Sequence, residues 1–111
     1  MRKIINLTEI NSEIVRLMIY NDENGTYLFG YDKLEDSDAV FDQWYESENE
    51  ALEVCLVEYK IDKTLWIEIP NPMENCQHDW INPVRIKGRE NGNPQFGKLE
   101  KWIDGKWIDI D

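Results

Sequence analysis

Residues 14–20 and 26–31 are rich in β-branched and aromatic side chains and flank Asn24-Gly25, a preferred two-residue hairpin turn. A turn at that dipeptide predicts a β-hairpin in which Tyr20 faces Phe29 and Met18 faces Tyr31. One side then carries Met18, Tyr20, Tyr27, Phe29 and Tyr31, and the other carries Val15, Leu17, Ile19 and Leu28. Both sides are apolar enough to call for cover, or for a ligand on one of them. A short strand over residues 3–7 is expected to precede the hairpin.

The period then changes from strand-like to helical. Ser47-Glu48-Asn49-Glu50 fits a capping box, with the Ser47 hydroxyl accepting from the Glu50 amide. A helix is predicted over residues 48–59, burying Leu52, Cys55, Leu56 and Tyr59 with Ala51 beside them. Residues 64–69 alternate as a strand until Pro70 and Pro72 end it. Residues 70–83 read as an irregular loop, 84–87 as a short strand and 88–97 as another loop.

The chain closes on a second hairpin, residues 98–103 and 106–110, about Asp104-Gly105. That turn pairs Ile103 with Lys106 and Trp102 with Trp107, leaving Leu99, Ile103, Ile108 and Ile110 on the opposite face. The tryptophans are read first as a stabilising cross-strand pair and second as a platform for a partner or planar ligand.

These elements predict an α+β fold: a mainly antiparallel sheet of four to six strands built from two hairpins, with one amphipathic helix packed on it. At 111 residues, a single globular domain over 1–111 is expected.

Charge narrows the function. The chain has 23 Asp and Glu against 12 Lys and Arg, a formal net charge of −11. That balance argues against nucleic acid and against attachment to an anionic membrane, both of which need clustered cations. The acidity is also local. Between residues 32 and 58 ten acids stand against Lys33 alone, whereas residues 85–106 carry six basic side chains and three acidic ones. Within the acidic stretch, Asp42, Trp44 and Tyr45 place aromatics beside carboxylates, and Glu48, Glu50 and Glu53 fall on the predicted helix.

Catalytic chemistry finds little support. Cys76 and His78, two residues apart beside Asp79, would point the same way in extended backbone. No second Cys/His pair closes a zinc site, and no oxyanion-hole or phosphate-loop motif accompanies them. No catalytic residue, metal or cofactor is assigned, and a thiol-dependent enzyme is the weakest reading. Met1–Asn6 has no apolar run behind its basic pair, so neither a signal peptide nor a membrane span is expected. Reduced cysteines and a cytoplasmic location follow from that expectation.

In size, charge and aromatic content the chain is similar to small acidic bacterial immunity proteins, which cap basic nuclease toxins. The likeness implies a non-enzymatic cytoplasmic protein, monomeric or a weak homodimer, that binds a basic protein partner such as a toxin. Asp42, Trp44, Tyr45, Glu48, Glu50 and Glu53 would carry the contact. The alternative is a small-ligand domain with a pocket between the helix and the aromatic face of Tyr20, Tyr27 and Phe29.

Overall fold

The computed structural model describes residues 1–7 and 13–110, which form two compact units, Met1–Asn71 and Pro72–Asp111. The first is built on a five-stranded antiparallel sheet. Its strands are β1 (Arg2–Asn6), β2 (Arg16–Asp22), β3 (Gly25–Tyr31), β4 (Phe41–Tyr45) and, after the helix α1 (Glu48–Tyr59), β5 (Ile67–Ile69). They lie in the order β4-β3-β2-β1-β5. The second unit is a three-stranded sheet of β6 (Val84–Ile86), β7 (Leu99–Ile103) and β8 (Lys106–Asp109), in that order. The fold is α+β, as the patterning predicts. The terminal hairpin pairs with β6 in a sheet of its own and does not extend the first.

The first hairpin corrects the expected register. Asp22 pairs with Gly25, so the turn residues are Glu23 and Asn24, Tyr20 faces Tyr27 and Met18 faces Phe29. Local polar chemistry moved the turn. Asp22 Oδ1 accepts the Asn24 N–H at 2.7 Å, which bends the chain one residue early. Gly25, at φ 129°, then becomes the first paired residue, and any side chain there would overlap the Trp44 indole. The change in pairing preserves parity, so every side chain keeps its predicted face.

Leu17, Ile19 and Leu28 form one buried cluster with Ala51, Leu52, Cys55 and Ile61, so α1 lies on that face of the sheet. Burying each large aliphatic side chain there is worth about 1.5–3 kcal/mol. Helix capping matches expectation: Ser47 Oγ accepts from Glu50 N at 3.2 Å, and Lys60 closes the helix in the left-handed region at φ 56°. Leu56, expected in the buried stripe, is instead 44% exposed, because Ala51, Leu52 and Cys55 set the line of contact.

The strand predicted over 64–69 shrinks to β5. Asp62 Oδ1 accepts from the Thr64 N–H at 2.9 Å and the Thr64 hydroxyl at 2.8 Å, folding Lys63–Leu65 into a 3-10 turn. In the second unit the hairpin has the predicted register, Ile103 with Lys106 and Trp102 with Trp107. Asp104 and Gly105 both take positive φ, 49° and 79°, as a type I′ turn requires.

Candidate partner-binding surface

The acidic stretch runs through the loop after β3, then β4 and α1. Arg16 anchors that loop: its Nη2 donates to Leu34 O at 2.7 Å and its Nε to Asn6 Oδ1 at 2.8 Å. Arg16 is buried, and nothing in its sequence position marks it as the post that holds an acidic loop. Around Leu34, Asp32, Glu35 and Asp38 are exposed.

β4 turns its side chains alternately to the two faces of the sheet. Phe41, Gln43 and Tyr45 share the helix side, where Phe41 and Tyr45 pack against the buried cluster. Tyr45 is half-buried, its hydroxyl donates to Gln43 Oε1 at 2.8 Å, and burial, with Glu58 nearby, raises its pKa. Asp42 and Trp44 lie on the opposite face. Trp44 is 52% exposed, and its Nε1 donates to Asn24 O at 3.2 Å, so the indole lies across the turn between β2 and β3. The two aromatics proposed as anchors are therefore on opposite sides of the sheet.

The three helix glutamates also differ. Glu50 and Glu53 are exposed. Glu48 is bound by Lys3, with Nζ to Oε1 at 2.5 Å and both side chains about three-quarters covered. Glu48 therefore spends much of its charge inside its own unit. Exposed Leu56 and Val57, the latter 76% exposed, lie among the acids of α1, a surface that helical periodicity alone does not mark.

Tyr20, Tyr27 and Phe29 lie on the sheet face turned away from α1. Tyr20 and Tyr27 are 6.3 Å apart by ring centroids and Tyr27 and Phe29 are 6.2 Å apart, both pairs near parallel. The expected position of a pocket, between these rings and the helix, is corrected: the sheet separates them. Burial and the neighbouring Asp22 raise the Tyr20 pKa.

Cys76 and His78 do not share an extended segment. Asn75 takes φ 65° and the Cys76 N–H donates to Met73 O at 3.1 Å, so a turn buries the thiol while His78 is exposed. Neither cysteine is in a disulfide. Among the described residues no group of three or more His, Cys, Asp or Glu side chains is placed to hold a metal ion. No helix among them is long and apolar enough to cross a membrane.

Trp102 and Trp107 meet edge to face at 5.2 Å, with planes at 65°. The open face of Trp107 is taken: the Arg85 guanidinium lies 3.8 Å from its centroid and is held by Glu100 at 2.6 Å and Glu90 at 3.4 Å. Sequence spacing had no means of finding Arg85 there, since it comes from a third strand. Comparison of the chain with family models, curated proteins and solved structures found no match.

Proposed function

We propose that this is a non-enzymatic binding protein that caps a basic protein partner at the β4 side of the first unit, reaching Asp42 and Trp44 on one face of the sheet and α1 on the other. The observation that carries the reading is the mixing of exposed apolar side chains with exposed carboxylates. Trp44 accompanies Asp42 on β4, and Leu56 and Val57 accompany Glu50 and Glu53 on α1. Acids around a solvated helix steer encounter, while a large aromatic that becomes dry on contact supplies affinity. A cytoplasmic immunity role against a toxin is the specific form of this proposal that the size and charge of the chain favour. Tyr45 and Glu48 drop to supporting parts, one as packing beneath α1 and the other as an ion-pair partner of Lys3.

The test uses a basic partner recovered from the native cell. Reversing Glu50 and Glu53 to Lys should slow association about tenfold at low salt and flatten its salt dependence. Trp44→Ala should chiefly speed dissociation, costing about 2 kcal/mol or more. Unchanged rates in both variants would defeat the proposal.

A further inference from the structure

The five-stranded sheet has two edges, and they are built differently. β5 is three residues long and runs into Pro70, two usual ways of blunting an edge. β4 has five residues, Phe41-Asp42-Gln43-Trp44-Tyr45, with no proline, glycine or lysine among them. On one side it pairs with β3 from Thr26–Tyr45 to Gly30–Phe41; on the other the sheet ends. Asp42, Gln43 and Trp44 are exposed. The largest of them does not obstruct the free side, because the Trp44 ring is drawn inward over Gly25 and bonded to Asn24 O. Among the described residues no strand pairs with that side of β4, which leaves its backbone donors and acceptors open to an added strand.

Charge decides what this edge accepts. Asp42 lies within β4, and Asp38 and Glu46 flank its ends, all exposed. In an antiparallel β4-to-β4 pairing of two copies Asp42 would lie opposite or diagonally across from its own copy, depending on register, and close like charges across a strand pair are destabilising. A strand carrying Lys or Arg would place opposite charges there. We infer that β4 is a strand-addition site for an extended basic segment of the partner protein, which would form a sixth strand beside it. The inference rests on the acidic-surface reading and adds its mode of contact: backbone hydrogen bonds along β4, with Asp42, Asp38 and Glu46 selecting for positive charge.

The probe is a short peptide of alternating lysine and valine, compared with the same peptide N-methylated at alternate residues. Hydrogen exchange of the intact chain is read alongside affinity at low salt. The β4 amides that point away from β3 should slow when the peptide binds, and N-methylation should weaken binding about tenfold or more. Asp42→Lys, checked for an unchanged far-UV spectrum, should weaken it similarly, while Glu68→Lys on β5 should not. Equal affinity of both peptides with no change at β4 overturns strand addition and leaves the acidic-surface reading standing. Failure of the unmethylated peptide to bind at low salt also overturns it, and the Glu50 and Glu53 reversals then decide separately on the broader proposal. Protection of β4 that grows with protein concentration alone would assign the edge to a second copy and overturn the basic occupant.

Discussion

Gly30 and Phe41 form one cross-strand pair in which the phenyl ring occupies the space a side chain at position 30 would need. The Phe41 ring thereby covers a stretch of β3 that has no side chain, a recognised way of restoring packing at a strand glycine. Gly30→Ala should therefore cost about 1–3 kcal/mol by overpacking, read from the urea midpoint. In a double-mutant cycle with Phe41→Ala the two losses should be less than additive, because the clash disappears with the ring. Cys55 is fully buried on the sheet-facing side of α1, and burial, reinforced by Glu58, pushes its thiol up to about 12. An unfolded thiol ionises near about 8.5, so the neutral buried form contributes its full stability below that pH and loses it as pH climbs toward the folded value. The stability gap between the natural chain and Cys55→Ala should accordingly narrow between about pH 8 and pH 10, measured by paired urea titrations.

At the scale of elements, α1 was legible to the residue. Ser47 and Glu50 are a local signal, and the bond they predict is present at 3.2 Å. Ser47→Ala should cost about 1 kcal/mol, seen as an earlier loss of the helix band on urea titration. The terminal hairpin was equally legible, since Asp104-Gly105 can supply two positive φ angles where few other pairs can. The first hairpin had a competing signal. Asp22 offers its own turn, so Asn24-Gly25, a strong turn signal in sequence, supplies the bend's last residue and the first residue of β3. What stayed illegible was pairing between segments far apart in the chain. Nothing local in Ile4 or Ile67 announces that they face each other across β1 and β5. For the same reason the candidate surface was only half readable. The sequence spacing of Trp44 and Tyr45 suggests one patch, but strand alternation sends them to opposite faces, and Arg85 reaches Trp107 only through the β6–β7 pairing.

For the molecule as a whole the acidic bias has a consequence that needs no partner. Between residues 32 and 58 ten acids stand against one base; of these Glu48 is held by Lys3, and Asp36 is also engaged. A half-exposed pair of this kind is worth about 0–1 kcal/mol, and salt weakens it. Self-repulsion among the remaining carboxylates works in the opposite sense, since salt relieves it. The Debye length falls from about 30 Å at 0.01 M to about 8 Å at 0.15 M, a range that spans most separations on one small unit. Repulsion involves many pairs of charges and the attractive contacts described involve few, so repulsion should win. Thermal unfolding of the first unit, followed by the far-UV helix band because α1 lies there, should therefore shift upward as sodium chloride rises over that range. Glu50→Gln with Glu53→Gln should raise the midpoint at low salt and reduce its salt slope, whereas Lys3→Met should lower the midpoint and steepen the slope. If the midpoint instead falls with salt, the carboxylates are held in compensating pairs, and the acidic surface would carry too little free charge to steer a basic partner.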